Sequence, residues 1–232
     1  MVDLTFNHLD SDAKREDNFC RQGRGLFRLA DTSKLAEGES IMVTRPSIPI
    51  RYPFLGICGL SCRLCPHYQS NAASRCEGCK TVGRLGAACS MQTCALRKQR
   101  VEYCGFCSDA ELCSTWSHHR EASLRHDSFV SYRKLEENIS DIHLRGPDEW
   151  ERDQLVRERI LRRMLIEYDD GQSRSYFCIA AAVLDPKDIE RAMSAERMSR
   201  PVDADAKSRC RIIRGSLSQI ATDRGEVLRL RK

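Results

Sequence analysis

Ten of the chain's thirteen cysteines crowd between positions 58 and 113: Cys58, Cys62, Cys65, Cys76, Cys79, Cys89, Cys94, Cys104, Cys107 and Cys113. Three C-x-x-C pairs, beginning at Cys62, Cys76 and Cys104, stand among them. Two intervening residues let a tight turn aim both sulfurs at one ion, and zinc asks for four such ligands at tetrahedral angles. Cys62-Arg-Leu-Cys65 followed ten residues later by Cys76-Glu-Gly-Cys79 has the spacing of a zinc ribbon or rubredoxin-like site, with Gly78 where the turn needs a permissive backbone. Cys89-x4-Cys94 with Cys104-Gly-Phe-Cys107 offers a second set of four, and a cross-braced pairing of the same hairpins satisfies the spacing equally. Eight thiolates fill two sites, which leaves Cys58 and Cys113 as spares or substitutes. Isolated cysteines are ordinarily small buried hydrophobes, but three C-x-x-C pairs in one short stretch read as metal binding.

The rest of the composition agrees. Hydrophobic residues, cysteine included, make up 41% of 232 residues, thin for one large apolar core. No run approaches a membrane span, and the N-terminus, with Asp3, Asp10 and Asp12, lacks the basic-then-apolar order of a signal peptide. The expectation is a soluble cytosolic protein, where dense cysteine serves metals or redox chemistry before disulfides. The chain divides into an N-terminal arm (1–50), a cysteine module (51–118), a helical region (119–200) and a basic tail (201–232). The predicted fold class is therefore a small metal-stabilised, zinc-ribbon-like module joined to an α-helical C-terminal region.

Periodicity supports the helices. Tyr132, Leu135, Ile139 and Ile142 follow 3, 4, 3 spacing, and Gly146-Pro147 ends the pattern. A second helix runs from about Asp148 to Tyr168, with Val156, Ile160 and Met164 beside Leu161, Leu165 and Tyr168. Its acidic start suits the positive end of a helix dipole. Tyr176 to Leu184 reads as a buried helix rich in alanine. Asp185-Pro186 then supplies an N-cap and first position for another, with Ile189, Ala192, Met193 and Met198 on one face. In the arm, Phe19, Leu26, Phe27 and Leu29 could dock as one short element. Ser47 to Pro53, with two prolines, suits a linker.

Cys58-Gly-Leu-Ser-Cys62-Arg-Leu-Cys65 also spells C-x3-C-x2-C, the motif by which radical SAM enzymes hold a [4Fe-4S] cluster. The alternating β/α pattern of that barrel is missing around it. Iron–sulfur clusters of other kinds remain an alternative to zinc, because cysteine tetrads serve both metals. The order G-I-C-G-L-S-C-R-L-C-P-H-Y, C-E-G-C, C-S-M-Q-T-C-A, V-E-Y-C-G-F-C and E-L-C, continued by D-D-G-Q-S-R-S-Y-F-C-I-A-A, resembles a family of prokaryotic cysteine-rich proteins common in anaerobic bacteria and archaea and catalogued as a domain of unknown function. The likeness covers roughly 56–195. It implies metal binding by all ten clustered cysteines and no established reaction. His67 and Glu111-Leu112 depart from the family's pattern, the latter weakening the case for Cys113.

Other candidates read as structural. Cys178 in its apolar run reads as a buried hydrophobe before a reactive thiol. His118 and His119 read as exposed residues opening a helix, and His67 as a group behind the ligands. Gly83-Arg-Leu-Gly86 is a loop between metal pairs, not a phosphate cradle. The tail carries eight Lys and Arg against four Asp and Glu but no aromatic residue for stacking on bases, so it reads as a solvated tail before a nucleic-acid contact. The function expected is a metal-binding protein with two tetracysteine sites, structural zinc in each, acting as a binding or adaptor module for a protein partner. An iron–sulfur protein for electron transfer or enzyme maturation is the alternative, and a radical SAM enzyme the third reading. No catalytic residue can be named.

Overall fold

A computed structural model of the chain describes residues 48–81 and 89–232. The arm with Phe19 to Leu29 and the loop Gly83 to Gly86 lie outside the described residues. Among the described residues seven α-helices follow one another: α1 Ser90–Thr93, α2 Ser114–Ser123, α3 Leu135–Arg145, α4 Pro147–Tyr168, α5 Arg174–Val183, α6 Pro186–Ser199 and α7 Ala206–Asp223. Among the described residues there is no strand, only one isolated antiparallel bridge between Leu55 and Ser61.

That finding corrects the zinc-ribbon expectation. A ribbon is strand-based, and strands need a period-2 alternation between the metal knuckles. Pro66 to Arg75 (P-H-Y-Q-S-N-A-A-S-R) has none. The module instead chains single 3-10 turns, Cys62–Leu64, Cys104–Phe106 and Ala110–Leu112, with α1 and the π-helical turn Cys94–Gln99. It gathers a small cluster of its own, in which Tyr52, Leu55, Tyr103 and Trp116 meet Ile142 of α3 and Trp150 of α4. Tyr52 is buried there, and its N–H donates to Glu102 at 2.9 Å, so the segment read as a linker is anchored at this residue.

Helices α4 to α7 form the larger core. Ile160, Leu161, Met164 and Tyr168 of α4 pack with Phe177 and Ala180 of α5, Ile189 and Met193 of α6, and Ile213 and Leu217 of α7. At 22 residues α4 is about 33 Å long, and it serves both clusters, Trp150 at its start and Met164 near its end. Gly146, with φ 82°, ends α3 and caps α4, and Pro147 follows as the first residue of α4. Asp185 caps α6, accepting the Lys187 N–H at 2.8 Å.

The tail is not solvated. Cys210, Ile213, Leu217 and Ala221 of α7 recur at 3, 4, 4 spacing and are buried, whereas Lys207, Arg211 and Arg214 fall on the outer face. Beyond α7 the chain turns back at Gly225, buries Leu228, and runs to the loop after α2. There the Arg231 guanidinium donates to the carbonyls of Ser123 and Leu124, each at 2.7 Å, and to Asp127 at 2.9 Å. Arg133 donates to the carbonyls of Val227 and Arg229. The last residues thus strap the bundle to the end of α2, whose Trp116 belongs to the module's cluster, and to the α2–α3 connection.

Candidate functional site

The first cysteine hairpin is held by its backbone. Gly56 N–H donates to the Leu60 carbonyl at 2.7 Å and Cys62 N–H to the Phe54 carbonyl at 2.8 Å. A Cβ on Gly56 would stand 2.8 Å from the Leu60 oxygen, and Gly59 has φ 87°, so both positions require glycine. Cys65 N–H closes a single turn onto the Cys62 carbonyl at 3.1 Å. Within that turn Leu64 points into the bundle core. Arg63 lies 3.8 Å above the Phe54 ring and pairs with Glu158 of α4 at 2.7 Å.

The second hairpin packs onto the first. Cys76 N–H donates to the His67 carbonyl at 3.0 Å, Gly78 N–H to the Cys76 sulfur at 3.4 Å, and Ile57 N–H to the Cys79 sulfur at 3.5 Å. Backbone donors aimed at sulfur stabilise thiolate over thiol. Lys80, buried beside Cys79, donates to the Tyr52 carbonyl at 2.8 Å and pairs with Glu102 at 3.1 Å, its ammonium near the sulfurs of Cys79 and Cys62. Nothing in the spacing marks Lys80 and Glu102 as part of the site; only their burial does. The third hairpin repeats the single turn, Cys107 N–H to the Cys104 carbonyl at 3.1 Å, and Cys104 N–H ties it to Ile57 at 3.1 Å.

Neighbouring thiols respond to one another. The Cys62 thiol hydrogen-bonds to Cys79, which pushes Cys62 up and pulls Cys79 down. Burial pushes Cys58 up to about 12, with Cys79 and Cys89 adding to it. Burial also raises Cys65, with Cys76 and Cys79 contributing. Cys104 is pushed up to about 12 by burial and then by Cys113, Cys58, Cys94 and Cys107. The neighbourhoods differ from those the spacing predicts: Cys113 stands with Cys104, and Cys89 with Cys58. None of the twelve described cysteines is in a disulfide.

Among the described residues no three His, Cys, Asp or Glu side chains converge on a point that a single ion could occupy. The donor chemistry fits a thiophilic metal; the positions of the sulfurs do not close around one. His118 and His119 sit within α2, not at its start. His118 is exposed, while His119 stacks on Trp116 and its Nε2 is buried without a partner. His67 is exposed, its ring edge-on to Phe129. Cys178 lies in the bundle core, where burial raises its pKa far more than Arg174 lowers it; that is the environment of an inert thiol. No helix of the described residues is long and apolar enough to cross a membrane. Comparison with known families, characterised proteins and solved structures finds no match, so the site is read from its chemistry.

Proposed function

We propose that the chain is a metal-binding protein of a reducing compartment, the cytosol, whose clustered cysteines carry two zinc ions. The observation that carries this reading is the company the thiols keep. Ten unbridged cysteines lie in interacting neighbourhoods, with backbone N–H groups directed at the sulfurs of Cys76 and Cys79. Thiols packed this way repel one another on ionising, and a divalent cation relieves that repulsion. The motif order that resembles the prokaryotic cysteine-rich family points the same way. Cys94, Cys104, Cys107 and Cys113 would supply one tetrad. The second would be drawn from Cys58, Cys62, Cys65, Cys76, Cys79 and Cys89. Zinc held by four thiolates has no open position, so its role is structural and the module acts by binding a protein partner.

The alternative is a [4Fe-4S] cluster in the second group, whose C-x3-C-x2-C order supports it. Anaerobic purification followed by elemental analysis and an absorbance spectrum separates the two. A colourless protein with about two zinc ions per chain supports the first reading. Iron with acid-labile sulfide and a brown colour overturns it, and a chain without metal overturns both.

A further inference from the structure

A cavity of about 490 Å³ opens between the first cysteine hairpin, α3, α4 and the α5–α6 junction. Its volume lies in the range of small-molecule sites. Leu60, Leu64, Val130 and Val156 form apolar walls. Val156, expected in the core, is 38% exposed because it faces this space. Two polar groups on the walls keep hydrogen-bonding capacity that no protein group uses among the described residues. Gln154 is only 6% exposed, yet its carboxamide makes no hydrogen bond.

The second is Arg157, through one edge of its guanidinium. Its Nη1 donates to the carbonyls of Ala181 and Leu184 at 2.8 and 2.7 Å, which caps the C-terminus of α5. Both bonds use Nη1, so the Nε–Nη2 edge is left over, and no carboxylate pairs with it. That edge is the one that binds a carboxylate through two parallel hydrogen bonds. The acidic residues of the lining are already engaged. Glu137 pairs with Lys134, Asp141 and Asp153 with Arg145, and Glu190 with Arg163, while Asp185 caps α6. With these carboxylates engaged elsewhere, none of them pairs with the free edge of Arg157.

We propose that this cavity binds a small monocarboxylate, its charged end on the Nε–Nη2 edge of Arg157, a polar substituent at Gln154, and its apolar body against Leu60, Leu64, Val130 and Val156. The inference stands on the helices and the hairpin backbone and does not require the metal reading.

The test follows the Arg157 Nε–H and Gln154 amide signals in 1H–15N spectra of the full chain, as isolated with its metal counted. Three probes of one shape are titrated: 4-methylpentanoate, leucine and 3-methylbutylamine. Shifts at both residues with 4-methylpentanoate, with leucine, or with both, and none with the amine, are the expected result. A response to the amine, or none to either carboxylate at millimolar concentration, overturns the proposal. Arg157→Lys should weaken carboxylate binding at least tenfold. Because Arg157 also caps α5, Ala182→Leu provides a second variant that fills the cavity and leaves the guanidinium in place; it should abolish the shifts. Unchanged binding in Ala182→Leu would place the carboxylate elsewhere and sink the idea.

Discussion

The two halves of this molecule solve the same problem by different chemistry. Twenty buried residues make up the larger core, most of them from α4 to α7, and fourteen of the twenty are leucine, isoleucine, valine or alanine. Six make up the module's cluster: Tyr52, Leu55 and Tyr103 beside the cysteine turns, Trp116 of α2, Ile142 of α3 and Trp150 of α4. The bundle contains the long periodic helices that bury enough apolar surface to offset chain entropy. The module has single turns, a small cluster and ten thiols, and borrows α3 and the start of α4 to close its cluster. A region built that way needs a further constraint, and metal binding coupled to folding is one that its side chains can supply.

The sharpest way to break this contrast is to chelate the metal that the module is proposed to hold. Both tryptophans of the chain, Trp116 and Trp150, belong to the module's cluster and are buried, so emission reports the module while far-ultraviolet circular dichroism reports mainly the bundle. Chelation under reducing conditions should shift tryptophan emission to the red and leave most of the helical signal. The effect amounts to loss of the module's fold, with recovery on adding zinc. Coincident loss of both signals would show one cooperative unit, and no change in either would end the idea that metal holds the module.

How far the sequence announced this contrast depends on the element. α3 and α4 follow from apolar spacing, and the Asp185 cap of α6 from a two-residue signal, because helix periodicity and capping are local properties. α7 carries the same kind of signal in Cys210, Ile213, Leu217 and Ala221. Eight basic residues drew attention to net charge, and charge says little about fold when it lies on the outer face of an amphipathic helix. In the module, C-x-x-C spacing marks the turns that form at Cys62 and Cys104, but not their company. Whether Cys113 stands with Cys104, or Cys89 with Cys58, is decided by how hairpins far apart in sequence dock. Arg157 was hidden for a related reason: an arginine on a helix reads as solvated until the packing of four elements around it is known.

The joint between the halves is the next place to strike. Glu158 of α4 is 4% exposed and accepts from Arg63 of the first hairpin and Arg162 of its own helix, each at 2.7 Å. Glu158→Ala leaves the Arg63 guanidinium, itself 12% exposed, without its carboxylate. Breaking a buried pair from one side costs about 3 kcal/mol, and urea unfolding followed by tryptophan emission should read a loss of that order. Loss below about 1 kcal/mol would mean that Leu64 alone holds the hairpin to the bundle, and that the pair adds only what an exposed one would.

The smallest effect is confined to the strap. Asp127 has a side chain with 0% exposure and accepts from Arg231 N–H at 2.7 Å, Arg231 Nη2 at 2.9 Å and Tyr132 N–H at 2.8 Å. Burial pushes its pKa up, but the Arg231 side chain and these backbone donors outweigh it, and the carboxyl is held below the ordinary aspartate value. A carboxyl depressed on folding stabilises the folded state above its unfolded pKa of about 3.9, and that contribution is lost as pH falls through the folded value. Hydrogen exchange at the Arg231 and Asp127 amides should therefore stay protected at pH 6 and open below about pH 4, while amides of Met164 and Ile213 in the bundle core remain protected. Asp127→Asn keeps the shape and removes the charge, so the strap should open more readily at pH 6, by about 1 to 2 kcal/mol for the charged hydrogen bonds, and its protection should no longer depend on acid over that range. If acid opened the bundle core before the strap, the C-terminal residues would be part of the bundle's own stability and not a separable tie between the two halves.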